Sequence, residues 1–221
     1  MTVILVVATI LLFLGMDWLV RIRKQPAGVP AVARGKSHPV RVRVPAGVFF
    51  ARSHTWLSMY PSGKLLVGVD DFVNRLLDTP RVTLLKRAGE HVEKGEPMLR
   101  LESEGRSLTV RSPIEGEILT PNTELEKRPE LMHEDLFTEG WAYAVQPGRA
   151  GQMRQMLLGE ETRRWVQEEF ARLRDVFAGA GATPALGAVA LQDGGPPVTG
   201  ALKQLDQKAW ARFEDEFLQV V

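Results

Sequence analysis

The sequence predicts a mainly β domain with added helices, a small barrel or flattened sandwich carrying an N-terminal transmembrane helix and C-terminal helices. Three observations predict it. Residues 48–146 break into short apolar runs separated by turn residues. Residues 2–20 are almost continuously apolar, and beyond residue 160 the apolar period becomes helical. With 221 residues, 44% apolar and 25% charged, the chain can bury one good core, so one main domain with appendages is expected. The absence of cysteine excludes disulfides, thiolate metal sites, iron–sulfur clusters and a cysteine nucleophile.

The first element is Thr2 to Val20, TVILVVATILLFLGMDWLV. As a helix its nineteen residues span about 28 Å, close to the hydrocarbon thickness of a bilayer. Leu5, Ile10 and Leu12 belong to its apolar body, and Asp17 sits beside Trp18 at the end, within reach of the headgroups. A cleaved secretory signal is the alternative. It requires a basic n-region and a small-x-small cleavage site, whereas nothing basic precedes Thr2 and Arg21, Arg23 and Lys24 follow at once. By the positive-inside rule the expectation is a single-pass protein of the inner (cytoplasmic) membrane with the bulk of the chain in the cytoplasm.

Charge is segregated along the chain. From Trp18 to Val69 there are nine basic residues and no acid, while from Asp70 onward 26 of the chain's 27 acidic residues face 19 of its 28 basic ones. Residues 25–45 are rich in Pro, Gly, Val and basic side chains, and read either as a tether lying on anionic lipid or as a solvated linker. The alternation Val40, Arg41, Val42, Arg43, Val44 predicts a strand.

Within the central region the strand candidates are Thr55 to Met59, Leu65 to Val69, Val82 to Leu85, Met98 to Leu101, Leu108 to Val110, Gly116 to Leu119 and Trp141 to Val145. One short helix, Asp70 to Leu77, places Phe72, Val73, Leu76 and Leu77 on one face, with Asp70 and Asp71 at its positive end.

Candidate chemistry is sparse. His38, His54, His91 and His133 are not spaced for a metal, and each has a plain structural role available. Glu102, Glu104, Glu115 and Glu117 alternate as the wet face of a sheet does. No Gly-rich phosphate loop or Gly-x-Ser-x-Gly elbow occurs, and the basic stretch lacks interleaved aromatics for nucleic acid. The expected partners are the lipid bilayer and other subunits of a membrane complex, without nucleic acid, small-molecule substrate, metal or cofactor.

The run from Gly89 to Ser103 (GEHVEKGEPMLRLES), followed by Ser112-Pro113-Ile114-Glu115-Gly116-Glu117-Ile118, resembles the two quasi-symmetric halves of a biotinyl/lipoyl domain. Ser53-His54-Thr55-Trp56, Val67-Gly68-Val69-Asp70-Asp71-Phe72, Arg128-Pro129-Glu130-Leu131-Met132 and Thr138-Glu139-Gly140-Trp141 narrow the resemblance to the H protein of the glycine cleavage system, over about Phe49 to Phe177. The resemblance implies a barrel-sandwich hybrid whose lipoyl lysine stands at the tip of a tight hairpin. In that family the tip reads Glu-Ser-x-Lys. Here it reads Glu102-Ser103-Glu104-Gly105, so Gly105 occupies the lysine position. Arg106 does not replace it, because a guanidinium stays protonated and forms no amide. The nearest lysines, Lys86 and Lys94, lie outside the hairpin, and no lysine occurs between Gly95 and Pro121. The reading that follows is a non-enzymatic accessory or scaffold subunit docked to a larger membrane assembly; the alternatives are a membrane-tethered lipoyl or acyl carrier, or a regulator of glycine-cleavage partners.

At the C-terminal end, Val166, Phe170, Leu173 and Phe177 predict an amphipathic helix opened by Glu160-Glu161. A Pro/Gly-rich connector then delivers a last helix with Leu202, Leu205, Ala209, Phe213 and Phe217 on one face and Trp210 at its margin. Such a face cannot remain in water, and it either folds back on its own domain or docks to a partner through Leu202, Leu205, Trp210, Phe213 and Phe217. The predicted organisation is therefore an anchor and basic flank (1–24), a tether (25–45), the domain with its closing helix (46–178), and a connector with an amphipathic helix (179–221).

Overall fold

Nine strands form two antiparallel sheets in the computed structural model, which describes residues 42–149, 151–179 and 199–220. All of these belong to one compact unit, Pro39–Val221. The expected anchor, with Leu5, Ile10, Leu12, Trp18, Arg21, Arg23 and Lys24, lies outside the described residues, as does nearly all of the tether. Among the described residues no helix is long and apolar enough to cross a membrane.

The strands are β1 (Val48–Ala51), β2 (Thr55–Met59), β3 (Leu65–Val69), β4 (Arg81–Leu84), β5 (His91–Val92), β6 (Pro97–Ser103), β7 (Arg106–Arg111), β8 (Gly116–Pro121) and β9 (Tyr143–Pro147). One sheet runs β1-β2-β3-β9-β8-β5 and the other β4-β6-β7. All seven strands predicted between Thr55 and Val145 are present, Thr55–Met59 and Leu65–Val69 with the predicted ends and the other five with ends moved by at most two residues. The strand expected over 40–44 is not found in its described part, 42–44; the edge strand is β1 instead, and Phe50 in it forms a bridge to Leu157. Strand β5 falls inside a stretch dominated by turn residues, and its two residues pair with β8. The central region also contains more than one helix. Besides α1 (Asp71–Leu77) there are two single turns, α2 (Glu124–Lys127) and α3 (Leu131–Glu134), each too short to show an apolar period.

Helix α1 begins where the aspartates predict. The Asp70 carboxylate caps it, accepting from the amides of Phe72 and Val73 at 3.1 Å each, while Asp71 pairs with Arg75 one turn on. Its apolar face enters the core between the sheets, with Leu57, Val67, Leu99, Leu101, Leu108 and Tyr143. A second cluster, with Phe50, Trp56, Leu66, Ala144 and Leu157, is covered by Trp165 and Val166 of helix α4 (Glu160–Gly179). Further along α4, Leu173 and Val176 reach the first cluster, so one amphipathic helix joins both.

The last predicted helix is divided. A 3-10 turn, Ala201–Gln204, precedes α5 (Gln207–Phe217), because Asp206 caps α5 by accepting from the Ala209 amide at 2.8 Å. This segment joins the main core and is no separate appendage.

The β2–β3 register sets Trp56 opposite Gly68. A Cβ on Gly68 would lie 2.6–2.7 Å from the Trp56 indole, which is wholly buried. Gly68→Ala is therefore expected to destabilise the fold by about 1–3 kcal/mol through overpacking, read as a lower urea midpoint at an unchanged slope.

Candidate functional site

The hairpin β6–β7 closes with the pair Ser103–Arg106, leaving Glu104 and Gly105 as a two-residue turn. Both have positive φ, +50° and +76°, the left-handed pair of a tight hairpin turn. Nothing lies within 4 Å of where a Gly105 Cβ would stand. The tip thus projects freely, as a swinging arm requires, but it offers only the Glu104 carboxylate as a side chain.

Just behind the tip, Arg106 turns toward the C-terminal segment. Its guanidinium donates to the carbonyls of Leu205 and, at 2.8 Å, of Lys203, and its centre lies 4.8 Å from the Trp210 ring centroid. Trp210 Nε1 donates in return to the Ser107 carbonyl at 2.9 Å. Lys203 pairs with Asp78 at 2.9 Å, and the Gly200 amide donates to the Arg75 carbonyl, so the segment is also tied to the end of α1. Leu202, Leu205, Trp210, Phe213 and Phe217, the face expected either to fold back or to dock to a partner, are all at most 5% exposed within this chain. The described structure takes the first alternative, and the partner-docking role for these five residues is set aside for a simple reason: the hairpin and α1 offer the same apolar cover without the entropy lost on association. A partner would have to meet the opposite face of α5.

Neither neighbouring lysine reaches the tip. Lys86 is paired with Glu96, whose carboxyl that bond holds below the usual range, and Lys94 belongs to the turn between β5 and β6.

The other concentration of charge is buried. His54, at φ +58° in the β1–β2 turn, is 0% exposed. Its Nδ1–H donates to Asp70 at 2.8 Å, and its Nε2 faces Glu169 at 3.7 Å, an ion-pair distance too long for a hydrogen bond. Its ring stacks on Phe72 at 4.3 Å and on Trp165 at 4.9 Å. Burial opposes the imidazolium, but Asp70 and Glu169 outweigh it and raise the pKa to about 9. Glu169 accepts from Trp165 Nε1 at 2.9 Å and from Arg172 at 2.7 and 2.8 Å. Burial alone would raise the Glu169 carboxyl, yet His54 and Arg172 hold it below its usual range. Arg172 continues to the Glu216 carbonyl of α5 at 2.9 Å. With His54 and Glu169 both buried, the network fastens the β1–β2 turn to α1, α4 and α5. Of this network the sequence singles out His54 and Asp70; the signal for Glu169 lies in its spacing from Trp165 (i+4) and Arg172 (i−3).

Among the described residues no group of three His, Cys, Asp or Glu side chains is placed to hold a metal ion. His91 meets Glu93 at 3.3 Å on the surface, and His133 is engaged by the Asp78 carbonyl.

Comparison with known proteins places residues 48–169 in a known family. The sequence profile described as "Glycine cleavage H-protein" matches residues 48–169. The glycine cleavage system H protein of Aeromonas hydrophila is 31% identical over 126 residues, covering 57% of this chain and 98% of that protein. That of Thermus thermophilus is 32% identical over 127 residues, with the same coverage. A crystal structure of the glycine cleavage system H protein from Mycobacterium marinum aligns over 56% of this chain and 98% of its own, at 26% identity and a TM-score of 0.49. The segment that clasps Arg106 lies beyond the matched residues.

Proposed function

The chain belongs to the glycine cleavage H-protein family, and from that premise we propose that it is a non-enzymatic, membrane-anchored accessory or scaffold subunit that docks to a larger membrane assembly without carrying a lipoyl group. The observation that carries the proposal is the hairpin tip. An acyl-carrier arm needs a primary amine at the projecting turn, and here that turn is Glu104-Gly105. The clasp of Arg106 by the C-terminal segment supports the same reading, since it makes the base of the turn a structural joint. The anchor rests on the apolar run of residues 2–20 and the basic residues that follow.

Intact-protein mass spectrometry of the chain from its native membranes tests the central claim. The expected mass is that of the unmodified polypeptide, and a lipoyl or other acyl adduct on the β6–β7 hairpin overturns the proposal. A gain-of-function variant sharpens the test. Gly105→Lys has open space at the tip and costs about 1–2 kcal/mol for a side chain at positive φ. Offered lipoate and an H-protein lipoyl ligase, the variant is expected to gain the lipoyl mass and the natural chain to gain none. The anchor is tested separately by washing native membranes with alkaline carbonate, which an integral span resists and a peripheral protein does not.

A further inference from the structure

At the end of the fold that carries the β1–β2 turn, a cavity of about 550 Å³ opens between that turn, the turn before β6, the Pro113–Glu115 loop and the chain that leaves β9. Its walls include Arg52, Arg149 and Arg154, with Met156, Pro113 and Val220 as apolar surface. Among the described residues that line it, the one carboxylate side chain is Glu115, and Arg149 Nε already occupies that at 2.7 Å. Among the described residues, Arg52 and Arg154 have no ion-pair or side-chain hydrogen-bond partner. The frame around them is fixed. Gln152 Oε1 accepts from the Glu115 amide at 2.8 Å while its Nε2 donates to the Glu115 carbonyl at 3.0 Å, and the Leu157 amide and carbonyl both bond to Phe50. The cations are thus delivered from segments about a hundred residues apart onto one concave surface, which is why no contiguous phosphate-binding motif announces them in the sequence.

Two uncompensated guanidinium groups and a third satisfied by one carboxylate give the cavity an excess of planar, forked donors. Such donors match the oxygens of phosphate, and two of them suit a dianion better than a single carboxylate. The volume greatly exceeds that of a free phosphate ion, and the apolar wall calls for an organic body attached to it. We propose that this cavity is a binding site for a phosphate monoester, held by Arg52 and Arg154 at its phosphate and by Met156, Pro113 and Val220 along its carbon skeleton. The phosphate comes either from a soluble metabolite or from an anionic lipid headgroup. This site is distinct from the β6–β7 hairpin, and its test is independent of whether that hairpin carries a lipoyl group.

The test uses the full chain in a non-ionic detergent and two probes, glycerol 3-phosphate and dioctanoyl phosphatidic acid, titrated by calorimetry at low salt. Saturable binding of at least one probe is expected. Arg52→Gln/Arg154→Gln should weaken it about tenfold or more, because each charge-assisted contact contributes on the order of a tenfold factor. Arg100→Gln, which removes an exposed cation on β6 away from the cavity, should leave it unchanged. Both arginines of the double variant are exposed, so its thermal midpoint should equal that of the natural chain. Similar affinity for the two probes identifies a soluble ligand, and a strong preference for the lipid identifies a headgroup. Failure of both probes to bind saturably, or equal binding by the double variant, overturns the proposal.

Discussion

His54→Ala is expected to cost about 3–5 kcal/mol of folding stability, a large share of the 5–15 kcal/mol typical of a domain. The reasoning starts from what would remain. Removing the imidazole leaves the Asp70 and Glu169 carboxylates buried, with the cation that lay between them gone. Asp70 would still cap α1 and Glu169 would still bind Arg172 and Trp165, so the helices would survive while their junction weakened. The stacking of His54 on Phe72 and Trp165 would be lost as well, leaving a cavity beside Phe217. Chemical denaturation of the natural and variant chains at pH 6 measures the difference. A loss below about 1 kcal/mol would show that the junction does not depend on the charge.

The same group sets a pH dependence whose sign is fixed by its direction of shift. The folded-state pKa of His54 is raised to about 9 from 6.5, so folding takes up a proton. The contribution is complete below about pH 6.5 and fades as pH rises through about 9, for a total of about 3 kcal/mol. The Glu169 carboxyl is shifted the other way, so its part is present above the ordinary carboxylate range and is lost on acidification. Stability should therefore be greatest between about pH 5 and 6.5. Glu169→Gln can keep the bond from Trp165 but removes one of the two charges that hold the proton on His54. It is expected to move the alkaline limb of the stability curve to lower pH, which denaturation midpoints across pH 6–10 would record.

Much of this architecture was legible in the sequence because local signals and tertiary demands agree. The Val67-Gly68-Val69-Asp70-Asp71-Phe72 stretch reads as strand, cap and helix, and Asp70 caps α1. The hairpin tip was legible for the same reason: Glu104-Gly105 is a turn by composition and a left-handed pair by geometry. Strands β1 and β5 were hidden because pairing alone creates them. The bridge from Phe50 to Leu157 and the two-residue pairing of His91-Val92 with β8 connect residues far apart in the chain. The apolar face from Leu202 to Phe217 suggests one continuous helix, whereas Asp206 inside it caps α5. Least legible was the destination of the last amphipathic face. Periodicity says that Leu202, Trp210 and Phe213 must be covered, but not by what. The deciding residue, Arg106, is about a hundred positions away on a hairpin that the family comparison describes without its C-terminal cover.

Trp210→Ala follows from that last point and is expected to destabilise the chain by about 3–5 kcal/mol. The ring is 1% exposed, so its removal leaves a large void between α5 and β7. It also leaves the Ser107 carbonyl without its donor and strips the guanidinium of Arg106 of the aromatic face on which it lies. The damage should be local before it is global. Amide hydrogen exchange should quicken first in residues 199–218 and at the base of the hairpin, Arg106 to Leu108, while β2, β3 and α1 stay protected until global unfolding. Arg106→Ala should produce a weaker form of the same pattern. If the two groups act as one clasp, the double variant will be less damaged than the sum of the singles by about 0.5–2 kcal/mol. Strict additivity would mean that the C-terminal segment is held by its apolar face alone, and that Arg106 does not fasten it to the hairpin.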